Sequence, residues 1–157
     1  MTLLKSSNKW RGRVMRYGPL ILWVGVIMLL SSGQASMGET SRFIRPVLEF
    51  LFPSAAPETL LLYHGYIRKS AHLAEYAVLA LLVLRALTRS HLQTLFKYRY
   101  LISMMIVFLV SGVDELNQSF ISSRTGSIQD VILDGLGGLA ALSVLFLLKR
   151  RREAVRA

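Results

Sequence analysis

The sequence predicts an all-α integral membrane protein, a four-helix bundle with both termini cytoplasmic and a long first outer loop carrying a short interfacial helix. Three observations carry that expectation. The 157 residues are 53% hydrophobic and 18% charged, with a mean hydropathy of +0.46, a composition of membrane rather than soluble chains. Four apolar runs approach the roughly 20 residues that a helix needs to cross a hydrocarbon core of about 30 Å. The basic residues, finally, gather in three blocks that alternate with those runs.

The runs are residues 17–32, 72–87, 100–120 and 128–148. None shows the alternation of a strand, and only helices or closed barrels satisfy every backbone polar group in lipid, so each reads as a helix. The blocks are Lys5 to Arg16, Arg85 to Arg99, and Lys149 to Arg156, and of the nine acids only Glu153 falls within them. Cytoplasmic loops carry such an excess of Lys and Arg. With all three blocks inside, the chain divides into a basic segment at 1–16, a transmembrane domain at 17–148 and a basic tail at 149–157. It leaves the cytoplasmic side twice, first in a long excursion and then in a tight hairpin. The net charge of +10 therefore describes membrane orientation, and a nucleic-acid partner is not expected, because a DNA-binding stripe would not be interrupted by apolar spans.

Two segments have a second reading. The basic start, apolar core and small residues around Gly33 and Ala35 fit a cleavable signal peptide as well as a retained signal anchor. In the first excursion, "RFIRPVLEFLF" reads as an amphipathic piece on the outer interface or as a segment packed on the bundle without lipid contact. Pro53 and Pro57 bracket a break there, and Pro57 suits the first turn of a helix continuing into the second span. The chain has no cysteine, which excludes disulfides, thiolate metal sites and cysteine nucleophiles.

Polar residues collect at one depth. At about 1.5 Å per residue, Asp114 lies about 20 Å and Gln118 about 25 Å along the third span. His72 and Glu75 lie one or two turns into the second, and Asp130 and Asp134 occupy the first two turns of the fourth. Lys69, His72 and Tyr76 follow i, i+3, i+7, while Asp114 with Gln118 and Asp130 with Asp134 are i, i+4 pairs, so each helix presents a polar stripe. Ionisable residues within a bilayer are costly and normally face the bundle interior at a site. His72, Asp114, Glu115 and Asp130 are the candidate acid and base groups. Lys69, Tyr76, Gln118, Arg124 and Asp134 are candidates for holding a substrate, with the Arg124 guanidinium suited to a carboxylate or phosphate. Taken singly, some have plainer roles: Asp130 suits a helix N-terminus, Lys69 can snorkel, and His72 can serve as an interhelical hydrogen bonder. The small residues of "DGLGGLAAL", and Gly112 before the acids, are expected to let helices approach closely at this level.

The stretch with Lys69, His72, Tyr76 and Leu79, followed by Asp114, Glu115, Gln118, Phe120, Arg124, Asp130 and Gly137, resembles the VanZ-like family, and the resemblance covers nearly the whole chain. It implies a small multi-pass protein of the bacterial cytoplasmic membrane, with His72, Tyr76, Asp114, Glu115, Gln118, Arg124 and Asp130 as motif residues. The family's namesake is associated with resistance to the glycopeptide antibiotic teicoplanin. This chain has Asp134 where the family commonly has Asn, and Ser122 and Ser123 where a proline often precedes the arginine. The extra acid favours a cation or a shared proton over a neutral hydrogen-bond network.

Three functions follow as expectations. One is an outer-leaflet site that binds or modifies a lipid headgroup or a lipid-linked cell-wall precursor, with membrane lipids as partners. Another is a proton or ion path, against which the nearly pure apolar inner halves of the spans argue. The last is a non-catalytic structural or interaction protein whose polar cluster locks helices together. No nucleophile motif or standard metal signature is present, and His72 with Glu75 is too short a spacing to count as one. Cofactor, metal, enzymatic activity and oligomeric state stay open.

Overall fold

The protein is described in a computed structural model for residues 2–32, 37–90, 92–120 and 126–156. Among these residues there are six helices and no strand: α1 (Thr2–Ser31), α2 (Met37–Leu51), α3 (Pro57–Thr88), α4 (Gln93–Lys97), α5 (Arg99–Ser119) and α6 (Ile128–Arg156). Four are long and apolar enough to cross a membrane, namely α3, α5, α6 and the Trp10–Ser31 part of α1. The all-α fold and the four spans are therefore as the sequence predicts, and the chain is a multi-pass membrane protein.

The helices outrun the apolar stretches that announce them. Basic residues end a hydropathy run without ending a helix, because Lys and Arg are good helix formers. Accordingly α1 runs through the whole amino-terminal basic block and α6 continues through the Lys149 to Arg152 run to Arg156. Helix α3 starts at Pro57, as expected, after Ala56 in an extended conformation with ψ 150; proline at N1 loses only an N–H that has no intrahelical partner. Its 32 residues span about 48 Å, more than the hydrocarbon thickness. The short α4 was not legible, since five residues between two basic positions carry no period.

Helix α3 is the hub, packing against α1, α2, α5 and α6. The core runs along it: Tyr76, Leu79, Ala80, Val83, Leu84 and Leu87 pack with Ile27 of α1, Val107 of α5 and Leu142 of α6. The lipid-facing surface is apolar as well, with Ile21, Leu22 and Leu109 about 70% exposed. Association of such helices rests on close packing rather than on a difference in hydrophobicity. Gly137 is the tightest point: a Cβ there would collide with the Leu73 carbonyl oxygen of α3. A Cβ on Gly138 would meet Val107 Cγ1 at 3.2 Å, and one on Gly135 would meet the Phe108 ring. Gly112 does not share this role, contrary to expectation. Nothing lies within 4 Å of a Cβ placed on it.

The two ends of the bundle differ in chemistry. At one, Arg16 Nε donates to the Ala86 carbonyl at 2.8 Å. Pro19 leaves the Met15 carbonyl without its helical donor, and Arg85 Nη2 reaches it at 3.4 Å. Tyr100 stacks edge-on against Phe146 at 5.9 Å, bringing the start of α5 to the basic end of α6. All three basic blocks thus share one end. At the other, α2 lies on α3 with Leu48 buried, while Phe43 and Phe50 point outward. The "RFIRPVLEFLF" segment is therefore helical as far as Leu51 and packed on the bundle along one side. Gly33 and Ala35, on which the signal-peptide reading turns, lie outside the described residues.

Candidate functional site

The polar residues meet where α3, α5 and α6 converge, at the end opposite the basic blocks. Tyr76, on the face of α3 that Leu79, Ala80 and Val83 continue, is fully buried and donates its hydroxyl to Asp114 Oδ2 at 3.1 Å. Gln118, one turn beyond Asp114 on α5, donates Nε2 to the same oxygen at 3.1 Å. Ser111, almost a turn before, donates to Asp134 Oδ2 of α6 at 2.7 Å. His72 closes the group, with Nδ1 3.7 Å from Asp134 Oδ1. One donor atom from each of His72, Asp114 and Asp134 lies within 4.8 Å of the others.

Both aspartates are buried, Asp114 at 2% and Asp134 at 0% exposure. On each, one oxygen is held by neighbours, whereas Oδ1 has no hydrogen-bond partner among the described residues. A buried polar atom in that position is expensive. The packing of Gly137 on the Leu73 carbonyl explains why the group assembles here. It brings α6 against α3 next to His72, and Asp134, almost one turn earlier on α6, then meets that ring.

The other candidates take different positions. Lys69 Nζ lies 3.9 Å from Asp130 Oδ1, a partly exposed pair one turn from the buried group. Glu115 points to the start of α6, where its Oε2 accepts the Ser127 backbone N–H at 2.7 Å, since successive helical residues diverge by about 100°. Arg124, with Ser122 and Ser123, lies outside the described residues. Several contributors carry no sequence signal. Ser111 is a hydroxyl in an apolar run. Ser31, at the end of α1, donates to the Asp114 carbonyl at 3.4 Å and accepts from Asn117 Nδ2 at 3.2 Å. His64 hydrogen-bonds Thr40 at 3.0 Å and Ser41 at 3.2 Å, fastening α2 to α3.

A cavity of about 170 Å³ opens between α1, α2 and α3. Ile27, Leu30, Ile44 and Ile67 form apolar walls, and Arg68, His72, Glu75 and Asp114 line it as polar groups. This arrangement gives the buried cluster a route to the outside of the bundle that is greasy along its sides and charged at its end.

The profile of the family described as VanZ/LLP1 matches residues 17–149. The chain belongs to the VanZ/LLP1 family. No curated protein and no solved structure matches this VanZ/LLP1 member. The family match takes in every residue of the cluster and of the cavity lining.

Proposed function

We propose that the protein is a VanZ/LLP1 member of the bacterial cytoplasmic membrane whose polar site, in the outer leaflet, binds or modifies a lipid headgroup or a lipid-linked cell-wall precursor. The observation that carries this reading is the cavity whose walls are Ile27, Leu30, Ile44 and Ile67 and whose polar lining is Arg68, His72, Glu75 and Asp114. Binding sites for amphiphiles combine an apolar body with a few placed polar groups. Here acyl chains would lie along the apolar wall while Arg68 and the cluster meet the headgroup. An arginine fork matches phosphate oxygens. Gathering of the basic blocks at the opposite end supports an outward orientation for the site.

In this reading His72 and Asp114 are the groups that touch the ligand, Tyr76 and Gln118 fix the Asp114 carboxylate, and Asp134 holds His72. The namesake's association with teicoplanin supports glycopeptide susceptibility as the phenotype to measure. Asp114→Asn is expected to abolish any protective effect in a deletion strain while membrane expression stays normal. Native mass spectrometry of the purified protein is expected to show a co-purifying phospholipid or lipid-linked species that this variant lacks. Full protection and unchanged lipid occupancy in Asp114→Asn would overturn the proposal.

A structural reading has its own observation. The Tyr76 to Asp114 and Ser111 to Asp134 bonds join three helices, as a lock would. If locking is the whole role, variants of these residues lower the melting temperature in detergent and leave lipid occupancy intact.

A further inference from the structure

We infer that His72, Asp114 and Asp134 form a divalent-cation site of the zinc or manganese class, built where three helices meet. The inference rests on the same cluster being a binding site and adds what completes it. Metal ligands at bond lengths of about 2.0 to 2.2 Å lie about 3 to 3.5 Å apart around the ion. One donor atom from each of these three residues already falls within 4.8 Å of the others, with His72 Nδ1 and Asp134 Oδ1 at 3.7 Å, so small side-chain rotations close the triangle.

Within each carboxylate the two oxygens divide the labour. Asp114 Oδ2 is oriented by Tyr76 and Gln118, and Asp134 Oδ2 by Ser111, while both Oδ1 atoms are buried without a hydrogen-bond partner among the described residues. Metal-binding carboxylates are held in this way, one oxygen fixed by neighbouring donors and the other directed at the ion. Two carboxylates at 2% and 0% exposure are costly to keep charged side by side, and a dication would cancel their formal charge.

Donor chemistry narrows the ion. One imidazole with two carboxylates suits zinc or manganese, whereas magnesium prefers an all-oxygen shell and keeps its waters. Three protein ligands also leave a coordination position open. Since His72 and Asp114 line the cavity, that position faces the space in which the headgroup would lie, and a phosphate oxygen would fit it.

The test uses the full-length protein purified in detergent, stripped with EDTA, and titrated separately with Zn²⁺, Mn²⁺ and Mg²⁺. Bound metal is read by calorimetry and by elemental analysis after desalting. One Zn²⁺ or Mn²⁺ per chain is expected, with Mg²⁺ at least tenfold weaker. His72→Gln and Asp134→Asn are expected to abolish binding, and Ser111→Ala to weaken it about tenfold by freeing the Asp134 carboxylate. His64→Gln, at a histidine outside the cluster, is expected to bind normally. Melting curves and size-exclusion profiles of each variant separate a lost ligand from a lost fold, and His72→Gln, whose side chain is partly exposed, is the variant that decides. No saturable Zn²⁺ or Mn²⁺ binding, or stoichiometric binding that survives His72→Gln in a folded protein, would overturn the inference. Lipid occupancy measured on the same samples keeps the two proposals distinct. Lipid retained by a protein that binds neither ion ends the cation site alone, whereas a bound ion without lipid supports the cation and overturns the lipid reading.

Discussion

Tyr76 and Glu115 show how neighbouring polar residues at one depth divide between holding a ligand group and holding a helix. The Tyr76 hydroxyl donates to Asp114 Oδ2, and such interhelical bonds in bilayers contribute about 0.6 kcal/mol on average and rarely above 2. Tyr76→Phe is therefore expected to lower stability by less than about 1 kcal/mol, read as a small fall in detergent melting temperature. Lipid occupancy by native mass spectrometry should fall clearly, because Asp114 loses one of its two fixing donors. Glu115→Gln is expected to do the reverse. It weakens a charge-assisted bond to the Ser127 N–H at the start of α6, costing roughly 1 kcal/mol of stability, and leaves occupancy unchanged. Equal effects of the two variants on occupancy would overturn this division. The i, i+4 spacing made the Asp114 and Gln118 contact legible beforehand. That Glu115 would turn to Ser127 was not, because the partner lies across a hairpin whose path the sequence does not dictate. Nor does the sequence contain the choice of Asp134 over Asp130 as the partner of His72; both are acids one turn apart on α6, and the register of α6 against α3 decides between them.

That register is a property of elements, and glycine sets it. Gly137 lies against the Leu73 carbonyl, while a Cβ on Gly112 would find nothing within 4 Å, although both stand in apolar helices beside acids. Gly137→Ala is expected to push α6 off α3 and destabilise the protein by at least about 2 kcal/mol, with His72 and Asp134 parting as it does. Gly112→Ala should instead stabilise it by about 0.5 to 1 kcal/mol, the ordinary helix-propensity gain. Thermal unfolding of the two variants side by side checks the pair, and a neutral Gly137→Ala would overturn the register argument. The spans themselves were legible because crossing a bilayer imposes a length and a composition. Their continuation into α1 and α6 beyond the apolar runs was not, since hydropathy reports the solvent around a helix and not its hydrogen bonds. Helix α4 was invisible because five residues show no period, and the fastening of α2 by His64 because it joins residues 23 and 24 positions apart that no spacing rule pairs.

At the scale of the whole molecule, the separation of chemistry between the two ends makes orientation the decisive quantity. The polar cluster and the first excursion share one end; Arg16, Arg85 and the base of α6 share the other. Positive residues are retained on the cytoplasmic side, so the proposed orientation has the cavity facing the outer leaflet, and an inverted protein would offer the same cavity to cytoplasmic lipids. The absence of cysteine makes the question directly measurable, because any introduced thiol is the only one present. Ser54, exposed between α2 and α3, and Ala154, exposed near the end of α6, lie at opposite ends of the bundle and outside the cluster. Ser54→Cys is expected to react with a membrane-impermeant maleimide in intact spheroplasts, and Ala154→Cys only after permeabilisation. The reverse pattern would move the site to the cytoplasmic leaflet and overturn a role on outer-leaflet substrates. It would leave the cation inference standing, because that depends on how His72, Asp114 and Asp134 face one another and not on which side of the membrane they face.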